Sequence, residues 1–301
     1  MPGTRRAAAP VGSEVVDVVL PTYRRPHTLP FAIESVLEQS YPHLRLHVVG
    51  DGYDPATEAV VSSFVDPRVR FYAFPKGAGF GYANRNVVLR GLQGRWVAYM
   101  NDDDLLFSDH LATAVDALRE GLELVALRPC AVHFPDTVDP HFFAFSWQGR
   151  LATRFLRHWF MGSVNCVHER RLFERVGEWN EGLSRFGDRE FYNRARRSAR
   201  WRYIDRITIL RFYALHWDRR YARLEQPPQG RYVRLVRDDD WMRAVRRAAA
   251  SRCGWGSRRR QFGDFLSFGL RSGPRFLRFW WELLAPRGWR GRRGAARPAD
   301  A

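Results

Sequence analysis

Lysine is almost missing from this 301-residue chain: Lys76 is the single one among 49 basic residues, and all the others are arginine. An excess so lopsided follows genome composition more readily than function, and it points to no ligand by itself. Cysteine is scarce too. Cys130, Cys166 and Cys253 are scattered, with no C-x-x-C pair, which argues against a disulfide framework or a thiolate zinc site and suits a reducing compartment. No stretch of about 18 apolar residues occurs, so no membrane-spanning helix is expected. The early "AAAPVGSEVVD" is too short and too quickly acidic for a signal-peptide core. A cytoplasmic location is therefore the expectation. No internal repeat is visible.

What the chain does contain is apolar and aromatic residues enough for a large core, 45% and 14% respectively, which excludes wholesale disorder. Charge is unevenly placed. Residues 241–301 hold 15 Arg against Asp264, Glu282 and Asp300, a net of +12 within a total of +17, so the first 240 residues carry only +5. A nearly balanced globular body with a strongly basic tail is expected.

The body reads as alternating strands and helices. Val15–Leu20 is a β-branched run stopped by Pro21, and "TLPFAIESVLEQSYP" has helical periodicity through Phe31, Ile33, Val36 and Leu37. "LRLHVVGDG" predicts a second strand, "PATEAVVSSFV" a helix, "RVRFYAF" a strand, "GYANRNVVLRGLQG" a helix closed by Gly94, and "RWVAYMNDDD" a fourth strand. "SDHLATAVDALREG" predicts a further helix with Ser108 as N-cap. This rhythm predicts an α/β fold, a mostly parallel central sheet flanked by helices. Ligands of such sheets sit at the carboxyl ends of the strands, where Thr22, Tyr23, Asp51 and the triplet Asp102-Asp103-Asp104 all fall. Residues 128–165, rich in Phe, Trp, His and Pro, resist assignment.

Three adjacent aspartates with no Lys or Arg within three positions on either side pose the sharpest question. A second triplet, Asp238–Asp240, is flanked by Arg237 and leads into helical sequence, so it reads as a capped helix start. Asp102–Asp104 follows a buried strand instead. Carboxylates without basic partners at such an edge suit a hard divalent cation, Mg²⁺ or Mn²⁺, held through oxygens.

The ordered set "VVLPTYRRPHTLPFAIESVLEQSYPHLRLHVVGDG", "ANRNVVLRGLQGRWVAYMNDDD" and "GDREFYNRA" resembles the family 2 nucleotide-sugar glycosyltransferases, over residues 15 to about 217. Nucleotidylyltransferases would show a Gly-rich basic loop after the first strand, and "PTYRRPHTL" has no glycine. The resemblance implies a GT-A (Rossmann-like) catalytic domain over residues 15–220, with a nucleotide-binding half at 15–104 and an acceptor half at 105–220. It would be preceded by a disordered N-terminus at 1–14 and followed by a basic aromatic, helical extension at 221–301. It implies inverting transfer of a sugar from a nucleoside diphosphate donor, UDP-sugar favoured and dTDP- or GDP-sugar the alternatives, to a hydroxyl acceptor on a glycan, a lipid-linked sugar or a small molecule.

Roles follow by position. Pro21, Thr22 and Tyr23 match the nucleotide-cradling segment, and Asp51 matches the aspartate on the base; Gly50 stands where the family commonly has a second acid. Asp102 and Asp104 match the metal-binding D-x-D positions with Asp103 between them, Asp188 matches the catalytic base, and His216 stands where some relatives place a metal-side histidine. Arg85 and Asn86 are candidate donor contacts, although an arginine on a surface helix usually faces solvent. Each has a structural rival: Asp51 as a turn residue in "GDGYDP", Asp188 as a helix N-cap, His216 as a packed side chain. Trp147 and Trp159 are candidate sugar-stacking rings, with core packing as their rival.

The tail segment "PRFLRFWWELL" could form a basic interfacial helix on an anionic membrane, which would make the enzyme peripheral on the inner face; packing onto the catalytic body is the equal alternative. Nucleic-acid binding is the weaker reading, since no recognition motif accompanies the charge. The alternative for the whole chain is a non-catalytic binding protein acting through this tail.

Overall fold

The structure, a computed structural model, describes residues 14–133, 137–140, 162–184, 186–212 and 226–251. The first half alternates as the periodicity predicts: β1 (Val16–Thr22), α1 (Leu29–Leu37), β2 (Leu44–Asp51), α2 (Pro55–Ser62), β3 (Val69–Phe74), α3 (Tyr82–Arg90) and β4 (Trp96–Tyr99). These strands lie in the order β3-β2-β1-β4 and pair in parallel throughout. Parallel neighbours leave all their carboxyl ends on one edge, which brings Thr22, Asp51 and the residues after Tyr99 together.

Beyond β4 the sheet becomes mixed. β5 (Leu105–Leu106), α4 (His110–Arg119), β6 (Leu124–His133), β7 (Thr137–Asp139), β8 (Cys166–Glu169), α5 (Arg170–Val176), α6 (Gly187–Ser198) and β9 (Trp201–Arg211) follow. β8 inserts antiparallel between β4 and β6, while β6 and β9 pair in parallel. Two helices close the described part, α7 (Gln229–Leu235) and α8 (Asp239–Ala250).

Alternation along β1 explains the two-sided core. Val16, Val18 and Leu20 point to one face, where Ile33 and Val36 of α1 and Leu111 and Val115 of α4 cover them. Val19 joins Val97 and Tyr99 on the other face under Val88 and Leu89 of α3 and Phe191 of α6. A strand buried on both faces is the mark of a parallel sheet between helix layers. A third cluster packs Tyr232, Val233, Met242 and Val245 of α7 and α8 onto Leu105, Phe107 and Phe212.

Two helix boundaries differ from expectation. α3 ends at Arg90, with Gly91 rather than Gly94 at its C-cap; Gly94 instead donates its N–H to the buried Asp17 carboxylate at 2.7 Å. The N-cap of α4 is Asp109, not Ser108, and the Asp109 carboxylate is drawn off by Arg206 (2.6 Å) and Arg246 (2.7 Å) instead of capping. At the second triplet, Asp238 caps α8 by accepting from Trp241 N–H at 2.8 Å.

Buried His168 makes a stability prediction. Burial lowers its pKa to about 4, despite its hydrogen bond to Glu169 O. The unfolded chain takes up this proton near pH 6.5, so the neutral ring contributes fully above that value and the contribution is lost as pH falls towards 4. His168→Phe should therefore cost about 2 kcal/mol less at pH 5 than at pH 7, read from urea midpoints. A pH-independent cost would show that the ring takes up its proton in the fold at the same pH as in the unfolded chain. Comparing variant with wild type matters because Asp104, described below, titrates in the same window with the opposite sign.

Candidate active site

Asp51 ends β2 with its carboxylate at the centre of a closely built loop. Oδ2 accepts from Lys76 Nζ at 2.7 Å, and Oδ1 accepts from Gly77 N–H at 2.8 Å and Asn84 Nδ2 at 2.7 Å. The chain's one lysine thus serves the aspartate singled out from sequence. Gly81 is in the left-handed region (φ 67°), and a Cβ there would lie 2.3 Å from Asp51 Cγ, so no larger residue fits against that carboxylate. Tyr23 is half-exposed beside it, with Arg24 and Lys76 over its ring at 5.4 and 5.2 Å.

The triplet follows β4 with all three aspartates buried. They do have basic partners, contrary to the local sequence: Arg25 Nη1 lies 2.6 Å from Asp102 Oδ1 and 3.4 Å from Asp103 Oδ2, and Arg211 Nε lies 3.3 Å from Asp104 Oδ2. One guanidinium comes from the loop after β1, the other from the end of β9. Only folding brings them within reach, which is why a three-residue window could not see them.

Asp104 is held from three sides, by Arg211 and by two hydrogen bonds. Its Oδ1 accepts from Phe212 N–H at 3.1 Å and its Oδ2 from Asn101 Nδ2 at 2.7 Å. Burial pushes its pKa up to about 6, against the opposing pull of Arg211, with the Asp103 charge adding to the rise. Burial also raises Asp102, with Arg25 opposing and Asp103 reinforcing. Carboxyls raised in this way cost stability once ionised, and the cost grows as pH rises through the folded pKa. A site that keeps two such groups gains from any cation that neutralises them.

Among the described residues no group of three or more His, Cys, Asp or Glu side chains forms a metal cage. An all-oxygen pair of buried carboxylates nevertheless fits a hard ion of the Mg²⁺ type, which is commonly held by one or two carboxylates together with substrate phosphates. His216, Trp147, Trp159 and the tail segment "PRFLRFWWELL" lie outside the described residues.

Asp188 is the second residue of α6 and is not its N-cap; that position is Phe186, at a left-handed φ of 61°. Its Oδ1 accepts from Arg189 N–H at 2.8 Å and its Oδ2 from Ser163 N–H at 3.3 Å. Ser163 Oγ donates to Asn101 Oδ1 at 3.4 Å, and Asn101 holds Asp104. A short polar path therefore links Asp188 to the triplet, although 84 positions separate Asp188 from Asp104 in the chain.

Arg85 and Asn86 turn inward from α3 and are both buried. Arg85 lies over the rings of Tyr82 (4.9 Å) and Trp179 (5.1 Å) and donates to Phe80 O. It does not face solvent as a surface-helix arginine would. The Asn86 amide accepts from Trp179 N–H (3.1 Å) and donates to Trp179 O (2.9 Å) and Glu181 Oε1 (2.8 Å), so it clamps the segment leading to Asp188. Pro21 and Thr22 close β1 beside Val49 and Gly50 of β2.

Sequence reasoning passed over Arg25, Lys76, Tyr82, Asn84, Asn101, Ser163 and Arg211. Two of them carried a signal: Lys76 by being the lone lysine, and Arg25 by lying two residues after Tyr23.

The chain belongs to glycosyl transferase family 2, whose family profile matches residues 17–177, more than half of its length. It is 36% identical over 109 residues to the succinoglycan biosynthesis protein ExoO of Rhizobium meliloti (strain 1021), covering 36% of this chain and 31% of that protein. It is 29% identical over 106 residues to the UDP-Glc:alpha-D-GlcNAc-diphosphoundecaprenol beta-1,3-glucosyltransferase WfgD of Escherichia coli, covering 35% of this chain and 41% of that one. The matches thus span between about a third and two fifths of these relatives' lengths.

The fold is the GT-A fold. S. aureus TarS 1-349, crystallised with UDP-GlcNAc, superimposes with a TM-score of 0.54 at 17% identity over 65% of this chain and 57% of that one. The mannosyltransferase PcManGT of Pyrobaculum calidifontis, in complex with GDP-Man and Mn²⁺, gives 0.52 at 18% identity over 89% and 83%.

Proposed function

We propose that this family 2 glycosyltransferase moves a sugar, with inversion, from a nucleoside diphosphate donor to a hydroxyl acceptor. A UDP-sugar is the favoured donor, and the acceptor hydroxyl belongs to a glycan or lipid-linked sugar. The observation that carries the reading is the convergence at one sheet edge of Asp51 in its loop, the buried Asp102–Asp104 triplet, and Asp188 joined to that triplet through Ser163 and Asn101. The WfgD name, with its UDP-Glc donor and lipid-diphosphate acceptor, favours the uridine and lipid-linked choices for this chain as well.

In this reading Asp51 accepts a hydrogen bond from the donor base, and Tyr23 offers a ring face to it. Asp102 and Asp104 would hold Mn²⁺ or Mg²⁺. Such an ion supplies Lewis-acid neutralisation of the leaving diphosphate. Arg25 sits on Asp102 and Asp103 and would be left to pair with the donor phosphates if a cation took its place. Asp188 accepts the acceptor hydroxyl's proton as the oxygen attacks C1. The C1–O bond to the diphosphate breaks with its electron pair leaving on the nucleotide, so one displacement inverts the anomeric centre.

A thermal-shift panel tests this. UDP, dTDP and GDP, each with and without Mn²⁺, are compared on the wild-type protein. A nucleotide bound only by the native state raises Tm by mass action. One nucleotide is expected to raise Tm only when metal is present, and it names the donor base. No shift with any of the three would remove the reading.

A further inference from the structure

Nothing in the resemblance singled out Tyr82, yet it touches the turn that carries Asp188. α6 begins abruptly. Phe186, in the left-handed region, supplies no side-chain cap, and the first N–H groups of a helix need partners from outside it. For Gly187 that partner is Tyr82: Gly187 N–H donates to Tyr82 Oη at 3.0 Å, a buried hydrogen bond spanning 105 positions. The ring lies so close that a Cβ on Gly187 would come within 2.6–2.9 Å of three of its atoms. Hydroxyl and ring together hold the backbone of the residue next to Asp188.

The ring is itself immobilised. Its centroid lies 5.7 Å from that of Trp179 in a stacked arrangement, and the Arg85 guanidinium lies over both rings. Arg85 is buried, and the two aromatic faces and the Phe80 carbonyl receive its guanidinium. Asn86, one turn on, ties down Trp179 and Glu181. In the other direction, Gly81 seats against Asp51, and a Cβ on Gly79 would meet Leu183 O at 2.9 Å. The loop from Lys76 to Tyr82 therefore touches the nucleotide-side aspartate at one end and the turn before Asp188 at the other.

We propose that Tyr82 is a positioning residue for sugar transfer, its hydroxyl and ring fixing the turn that presents Asp188 while its loop registers that turn against Asp51. The inference rests on the reading of Asp188 as the general base. Burial raises the Tyr82 phenol pKa and the Asp188 charge adds to the rise, which places the two groups within electrostatic reach. A misplacement of about 1 Å at a reacting group can cost on the order of 100-fold in rate. Tyr82→Phe keeps the ring and removes only the acceptor of Gly187 N–H.

Two measurements on the full chain test this. Hydrogen exchange by mass spectrometry needs no substrate. Tyr82→Phe should speed exchange in peptides covering residues 186–192 while leaving β1 and β2 unchanged; unchanged exchange at 186–192 overturns the proposal. Turnover is then followed as nucleotide release from the sugar nucleotide of the base the thermal-shift panel selects. Tyr82→Phe should lower kcat on the order of tenfold or more with donor KM within about twofold.

Wild-type kcat, or a rise in KM alone, overturns the inference while leaving the general-base reading intact, provided Asp188→Asn is inactive in the same assay. Full activity of Asp188→Asn removes that reading, and Tyr82 then has no base to position.

Discussion

Asp188→Asn should lower turnover on the order of 1,000-fold while nucleotide affinity stays within about twofold. General-base catalysis contributes 100- to 10,000-fold in enzymes that use it, and the amide cannot accept the acceptor's proton. The substitution is nearly isosteric. Asp188 accepts hydrogen bonds from two backbone N–H groups, Arg189 and Ser163, and the Asn side-chain oxygen can keep one of them. The helix start should survive, because Gly187 is held by Tyr82 and not by Asp188. Isothermal titration with UDP and Mn²⁺, run beside the turnover assay, separates binding from chemistry. A variant that binds normally and turns over at the wild-type rate would remove Asp188 as the base and leave α6 with only its structural role.

Asp104→Asn should abolish the metal-dependent part of nucleotide stabilisation. In the wild type, ligand at about 100 times Kd adds about 2.7 kcal/mol, worth roughly 4–5 °C in Tm for a chain of this size. The Asn variant is preferable to Ala because its side-chain oxygen can still accept from Phe212 N–H, whereas Ala would leave that N–H and the Arg211 guanidinium facing a void. The charge is what changes. Without the anion the site would lose a ligand for a hard cation and, with it, the share of nucleotide binding that such a cation would supply. The unliganded variant should be no less stable than wild type near pH 8, because a buried carboxyl with a pKa of about 6 is ionised there at a cost. If UDP with Mn²⁺ shifts the variant as far as the wild type, the triplet does not hold the metal.

Arg25 bears on the same experiment. It bridges Asp102 and Asp103 much as a cation would, with a third of its side chain exposed. A metal held by Asp102 and Asp104 would compete with it and would leave its guanidinium for the diphosphate. This reconciles a chain of net charge +17 with a concentrated acidic triplet: the acids are balanced at short range by arginines from distant parts of the chain, the loop after β1 and the end of β9.

What the sequence determined by itself was the layered α/β architecture and the edge where chemistry collects. The run Val15–Leu20 is apolar at every position but Asp17, which suits a strand buried on both faces, and helical periods between successive strands favour parallel pairing. That fixed Thr22, Asp51 and Asp102–Asp104 at strand ends before any coordinates. Local reasoning also separated the two aspartate triplets, and Asp238 does cap its helix.

Tertiary structure alone decided the partners. Arg25 on Asp102, Arg211 on Asp104, Tyr82 on Gly187 and Asn86 on Trp179 join residues 77 to 107 positions apart, beyond the reach of any periodicity. It also turned Arg85 inward, since two aromatic faces and the Phe80 carbonyl could repay part of its desolvation. Side-chain periodicity encodes which face of an element is buried. Which polar group meets which across that face depends on how the elements pack, and that is fixed only when the chain closes on itself.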